Sequence, residues 1–217
     1  MIRHKYALTA GLPILILTGL SVAYGQTGSG KTSGEHRSGL PTDPYSQKVK
    51  NSSFTSPGGE RVLRHELVIE ASLEELWNAM TTEDGLKSFM VPTAKVELKT
   101  GGAWETNYRV GSRIGDPDNI RNQVLCYIPL EMLALKINLT AAFPEGPRNA
   151  GTLFAVMTFK QLEPKRVLVT ESMLGWGRGP DWDKTYGFFE WGNAYTLGQL
   201  SKRFAEGSID WSKRETR

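Results

Sequence analysis

Several groups of residues in this chain could do chemistry, and the most conspicuous spells a phosphate-binding loop. Gly25, Gln26, Thr27, Gly28, Ser29, Gly30, Lys31 and Thr32 satisfy the pattern G-x-x-x-x-G-K-T. That loop works only between a buried strand and a helix whose N-terminal amides and dipole hold the phosphates. Here an apolar, export-type run precedes the match, and Ser33, Gly34, Glu35, His36, Arg37, Ser38, Gly39, Leu40 and Pro41 follow it without helical periodicity. The match is therefore read as a chance one in a Gly/Ser/Thr-rich stretch, with no nucleotide as partner.

Metal and nucleophile chemistry have little to draw on. The three histidines are His4, His36 and His65, and the single cysteine is Cys126. A zinc site needs several such ligands converging, and a Ser-His-Asp or Cys-His arrangement would rest wholly on His65. His65 reads as a half-exposed strand histidine and Cys126 as a small core hydrophobe. No metal and no cofactor are expected. Among carboxylates, Asp181 and Asp183 suit the first turn of a helix through its dipole. Glu190 flanks an apolar helical stripe, where burial would raise its pKa and suit it to general acid–base work. Glu190 and Tyr108 are the candidate catalytic residues.

Binding chemistry has more material. Asn193 is the one polar member of a helical stripe of Tyr186, Phe189, Leu197, Leu200 and Phe204. A buried amide without a partner costs about 1–3 kcal/mol, so a ligand oxygen, a water or a strand carbonyl must meet it. Trp77, Phe89, Trp104, Tyr108, Phe154, Trp176, Trp182, Tyr186 and Phe189 supply aromatic walls. Trp104, Thr106 and Tyr108 alternate onto one strand face, expected to point at the helix. The segment from Gly175 to Trp182 holds three glycines and two tryptophans and suits a lip over a cavity mouth.

The elements that must position these groups follow from pattern. Residues 62–69 read as a first strand. Ser72 and Glu75 form a capping box, followed by Leu73, Leu76, Trp77 and Met80 on one helix face. A short second helix around Leu86 and Phe89 ends at Pro92. Strands are expected over 94–99, 103–109, 120–128, 132–139, 152–162 and 166–174, with a Pro/Gly-rich connection over 143–151. A long amphipathic helix over about 182–204 closes the chain. The fold class is α+β: a curved antiparallel meander sheet wrapped around the last helix, with two short helices after the first strand and a natural pocket between sheet and helix.

The flanks differ in composition. Arg3, His4 and Lys5 precede an uncharged apolar run over 6–22 and the small-residue exit Ala23-Tyr24-Gly25, the layout of a secretory signal peptide; an uncleaved anchor is the alternative. The expected division is a signal over 1–25, a flexible spacer over 26–59, the domain over 60–206 and a tail over 207–217. The product would be exported, periplasmic or secreted, touching membrane only through an uncleaved signal. One cysteine allows no internal disulfide. The domain carries 17 basic and 19 acidic side chains, which excludes a phosphate-tracking nucleic-acid surface.

Particular words in this order resemble the helix-grip, START-like (SRPBCC) superfamily, and within it the small proteins named as homologues of the activator of the 90-kDa heat-shock-protein ATPase. They are Glu74-Glu75-Leu76-Trp77, Thr81-Thr82-Glu83-Asp84-Gly85-Leu86, the Gly101-Gly102 turn and Thr106-Asn107-Tyr108. Ile114-Gly115-Asp116-Pro117, Ile120-Arg121-Asn122, Tyr127-Ile128-Pro129-Leu130-Glu131-Met132-Leu133 and Gly192-Asn193-Ala194-Tyr195-Thr196-Leu197 complete the set. The resemblance spans about 61–204 and implies a helix-grip fold enclosing a lipid-like, aromatic or polyketide molecule. It fixes no single activity, and an exported chain would not meet the cytoplasmic chaperone of the family's name. The leading expectation is a binding protein for a small apolar or amphipathic ligand. The alternatives are a cyclase or dehydratase using Glu190, Tyr108 or Tyr186 as proton donor, and a protein-interaction module using the Trp-rich lip.

If the Gly25–Thr32 match is accidental, calorimetric titration of the protein with Mg-ATP gives no binding heat. A micromolar affinity that disappears in Lys31→Ala would overturn this reading.

Overall fold

The computed structural model describes residues 41–213. The segments read as export signal, P-loop match and first part of the spacer, and the last four residues, lie outside the described residues.

Strand β1 (Lys50–Asn51) and strand β2 (Phe54–Thr55) both pair with β3 (Arg61–Ile69). The Ser72 box then opens α1 (Leu73–Thr81): the Ser72 hydroxyl accepts from the Glu75 amide at 3.3 Å, and the Glu75 carboxylate accepts from the Ser72 amide at 2.9 Å. This reciprocal pair satisfies two amides the first helical turn leaves open. Thr82 caps α2 (Glu83–Phe89) in turn. A meander follows: β4 (Thr93–Val96), β5 (Ala103–Asn107), β6 (Ile120–Ile128), β7 (Met132–Lys136), α3 (Glu145–Ala150), β8 (Phe154–Glu163) and β9 (Arg166–Leu174). Helix α4 (Pro180–Glu206) completes the domain.

All the pairings are antiparallel, in the order β1-β3-β9-β8-β7-β6-β5-β4. The helix-grip class expected from the sequence is the class observed. Strand β3, interrupted from the meander by two helices, joins its far end at β9 through seven register pairs, Leu63↔Met173 to Ile69↔Val167. One parity of each strand packs against α4. It contributes Leu67 and Ile69 of β3, Val167 and Val169 of β9 and Met157 and Phe159 of β8 to one core with Leu197 and Leu200.

Four expectations need correction. The spacer does not run to residue 59: Ser46 and Val49 are buried, Tyr45 donates to Glu206 at 2.9 Å, and β1 and β2 extend the sheet. Two-residue strands pair through backbone alone, so a Ser/Pro-rich run can dock with one apolar anchor. The tail also docks, the Ile209 amide on the Ser88 carbonyl and the Trp211 indole on the Lys87 carbonyl at 2.6 Å. The connection over 143–151 contains α3, ended by Gly151 in a left-handed conformation. Cys126 is exposed beside a β-bulge instead of lying in the core, because the bulge shifts the strand's parity.

The docked N-terminal turn makes a sharp test. A Cβ on Gly198 would stand 2.7 Å from the Ser46 backbone nitrogen, whereas one on Gly192, in the same helix, would meet nothing within 4 Å. Gly→Ala inside a helix normally gains up to about 1 kcal/mol. Gly192→Ala should follow that rule, while Gly198→Ala should lose about 1–3 kcal/mol through overpacking. Urea unfolding midpoints of the two variants decide it; equal gains would mean that residues 43–49 are not held against α4.

Candidate functional site

The helix-facing side of the sheet is not uniformly apolar. Leu63, Ala155 and Met173 form one buried cluster, packed against Trp176, Tyr186 and Phe189 near the start of α4. The larger cluster includes Leu67, Val169, Phe159 and Leu197. Between the two levels, on the same inward parity, stand His65 of β3 and Glu171 of β9, which are register partners. Residues directly opposite in an antiparallel pair share a face, with Cβ atoms about 4.5–5.5 Å apart. On α4, Asn193 falls between Phe189 of the first level and Leu197 of the second. A polar layer of the buried His65 and Asn193 and the half-buried Glu171 thus divides the apolar interior.

These groups lack protein partners. His65 is fully buried, and neither ring nitrogen has a hydrogen bond. Asn193 is 8% exposed and its Nδ2 is likewise unpartnered. Further round the sheet, Trp104 Nε1 and Thr106 Oγ1 on β5 are buried and unpartnered too. Loss of hydration pushes His65 down to about 4 and Glu171 up to about 7. Both shifts have one cause: burial disfavours whichever form carries charge. The charged neighbours on β3, Arg64 and Glu66, have the opposite parity; Arg64 bonds Ser172 and Glu66 pairs with Lys50.

The residues expected to bind or react divide accordingly. Trp77 and Phe89 are core residues, Trp77 lying against Tyr127 at 6.3 Å and Phe159 at 5.8 Å. Trp104 faces the interior, and Tyr108, past the end of β5, is partly buried against the main core. Phe154 does not face the helix: Ala155 holds the inward position, so its neighbour falls on the outer side of the sheet. Trp176, Tyr186 and Phe189 do assemble, with ring centroids 4.9 Å and 6.0 Å from Trp176, and its indole donates to the Met173 carbonyl at 3.0 Å. Phe143 and the half-exposed Phe188, which the sequence pattern does not single out, join that lip at 5.6 and 5.5 Å from Phe189. Trp182 is half-buried and lies over Gly177.

Glu190 is not interior: its carboxylate accepts from the Asn51 amide at 2.8 Å near the surface, so it and Tyr108 do not form a pair. His65 is buried, not half-exposed. The signal that marks it and Glu171 is a titratable residue on an inward parity, His65 flanked by Leu63 and Leu67, Glu171 by Val169 and Met173. Among the described residues no three His, Cys, Asp or Glu side chains converge as a metal set. Two surface clefts, of about 180 Å³ beside Ile137, Arg148 and Leu153 and about 290 Å³ beside Lys202, Arg203 and Asp210, do not reach the polar layer.

The two shifted groups act on stability with opposite signs. Glu171 holds its proton more tightly in the fold than in the unfolded chain, so its contribution is full below its ordinary 4.5 and is lost as pH rises through about 7. His65 stays neutral in the fold, so its contribution is present above its ordinary 6.5 and is lost as pH falls through about 4. Over the shared window the slopes oppose. Glu171→Gln should therefore leave stability rising with pH across that window, and His65→Phe should leave it falling, with the wild type flatter than either. Urea midpoints at several pH values check this; three parallel profiles would refute it.

The fold is shared with solved structures of low identity. MLL2253 from Mesorhizobium loti superposes with a TM-score of 0.53 at 18% identity, over 69% of this chain and 100% of that one. EF2215, a conserved protein from Enterococcus faecalis, gives 0.52 at 16% over 77% and 84%. The Aha1 dimer from Colwellia psychrerythraea gives 0.51 at 18% over 67% and 97%. At such identities the likeness is one of fold. No curated protein matches the sequence. The family model for activator of Hsp90 ATPase homolog 1-like proteins matches residues 70–205, more than half of the chain and the stretch from the capping box into the last turn of α4, and the chain belongs to that family.

Proposed function

We propose that this protein holds a small, mostly apolar molecule between the sheet and α4, and that the molecule's polar group is met by the layer of His65, Glu171 and Asn193. The observation that carries the reading is that both ring nitrogens of His65 and Nδ2 of Asn193 are buried and unpartnered between two apolar clusters on the helix-facing side. Burying a polar group without a partner costs about 1–3 kcal/mol each. A sequence that keeps several, where leucine or methionine would pack, is organised around something that completes them.

The unpartnered atoms also describe the ligand. Asn193 Nδ2 and Trp104 Nε1 can only donate, Thr106 can donate or accept, and a neutral imidazole offers one donor and one acceptor. A donor-rich interior suits carbonyl or ether oxygens on an uncharged skeleton. The aromatic lip of Phe143, Trp176, Tyr186, Phe188 and Phe189 is the way in on this reading, because its rings are partly exposed and rest on the glycine-rich segment before α4. An exported location belongs to the same proposal, supported by the basic, apolar and small-residue order of residues 3–25.

Native mass spectrometry of protein purified from its own host tests this directly, and the reading expects a co-purifying small molecule. Asn193→Leu then separates anchor from strut. It should hold or raise the melting temperature while retention of the molecule falls at least about tenfold, the equivalent of one lost hydrogen bond of about 1.4 kcal/mol. A variant destabilised by about 1–3 kcal/mol that retains the molecule as well as wild type would show Asn193 to be a structural tie.

A further inference from the structure

The polar layer has the parts of an acid–base site as well as those of an anchor. Glu171 and His65 are register partners on adjacent strands and share the inward face. Their side chains start about 4.5–5.5 Å apart, so they can reach neighbouring atoms of one bound molecule. Asn193 stands at the same level on the facing helix, between residues of the two apolar clusters. Among the described residues neither Glu171 nor His65 is tied by an ion pair or a hydrogen bond, so neither is committed to holding the fold.

Resting on the binding reading above, we propose that the interior catalyses proton transfer at a carbon next to a carbonyl, with Glu171 as base and with His65 and Asn193 as the donors that hold the oxygen. The Glu171 carboxylate removes the proton from that carbon. The C–H electron pair becomes the carbon–carbon double bond of an enolate, and the carbonyl π pair moves onto oxygen. That oxygen is met by the Asn193 amide N–H and the His65 ring N–H. The Glu171 carboxylic acid then returns the proton, to the same carbon or to a conjugated one, yielding the starting ketone or its isomer. Atoms and electrons balance without an oxidant, a metal or a second reactant. The substrate class is an apolar ketone, or a conjugated enone, with an acidic C–H.

The chemistry of each group fits its part. A carboxyl with a pKa near neutrality combines adequate basicity with a large ionised fraction at working pH, and burial places Glu171 at about 7. A histidine held neutral donates to a developing oxyanion without itself giving up a full proton. Triosephosphate isomerase divides the labour in the same way between a glutamate base and a neutral histidine. Preorganised donors in a water-poor site are worth about 10²–10³-fold each in rate.

The test uses 2-tetralone, a bicyclic apolar ketone, with the full-length protein in D₂O. Proton NMR follows deuterium exchange at its activated carbon, and saturation-transfer NMR on the same sample reports whether it is bound. The proposal expects exchange at least about 100-fold faster than in buffer, rising with pH through about 7 as Glu171 ionises. Glu171→Gln should still give a saturation-transfer signal from tetralone and exchange it at the buffer rate. Asn193→Leu and His65→Phe should each lose about 10²-fold or more. Tetralone bound by wild type with exchange no faster than buffer, or exchange unaffected by Glu171→Gln, overturns the catalytic proposal and leaves the binding reading standing. Tetralone neither bound nor exchanged overturns both.

Discussion

The pairing of β3 with β9 is the contact on which the rest of this molecule depends. Without it, the six strands from β4 to β9 would form an open meander with α4 resting on one face. With it, the first long strand is joined to the last, and the sheet is held in the curl that covers the apolar stripe of α4. Seven register pairs fix the alignment, and a slip by one residue would turn every inward side chain of β3 to solvent. The same register sets His65 against Glu171. Fold and site are therefore specified by one ladder: the pairing that seats Leu63, Leu67 and Ile69 in the core necessarily seats the histidine between them.

The structure carries this polar layer at a cost. Burial of His65 and partial burial of Glu171 forgo hydration both would have in the unfolded chain, and apolar replacements of buried polar groups are often neutral or stabilising. On the outer face of β5 a buried carboxylate is fully satisfied. Glu105, on the outward parity of β5, accepts from Asn119, from the Gly115 amide at 2.9 Å and pairs with Arg121, while Asn119 in turn accepts from Asn107 at 2.7 Å. That cluster staples the loop before β6. Its completeness contrasts with the inward layer, where both ring nitrogens of His65 and Asn193 Nδ2 have no partner.

Much of the architecture is legible in pattern, because pattern records burial. The limits of β6 and β9, the capping box at Ser72 and the stripe on α4 all follow from side chains that must face one way. The features that escape a sequence reading lack such a record. Strands β1 and β2 are held by backbone, and only Val49 betrays that residues before Glu60 dock. The face of Phe154 is open to misreading because alternation gives two parities without saying which meets the helix, and a large aromatic beside a small alanine invites the wrong choice. His65 and Glu171 invite the converse error. Polar residues in a strand are ordinarily assigned outward, and only the neighbours two residues away show that these two point in. Glu190 adjoins the helical stripe and so reads as interior, yet the stripe is narrow and the next position round α4 already reaches β1.

Burial gives these two groups complementary properties through one mechanism. Desolvation raises an acid and lowers a base, so a carboxyl and an imidazole placed side by side away from water both drift toward their neutral forms. If they bonded to each other, that drift would be resisted and the pair would settle as a salt bridge closed to anything else. Here the side chains share a face without a hydrogen bond, and Asn193 stands at the same level on α4, between the two hydrophobic clusters. The half-buried carboxyl then titrates above its ordinary range, and the buried imidazole presents an uncharged donor. An apolar wall on either side, made by the two hydrophobic clusters, keeps both conditions in force. The arrangement thus uses the low dielectric that makes unpaired polar groups expensive as the means of setting their chemistry.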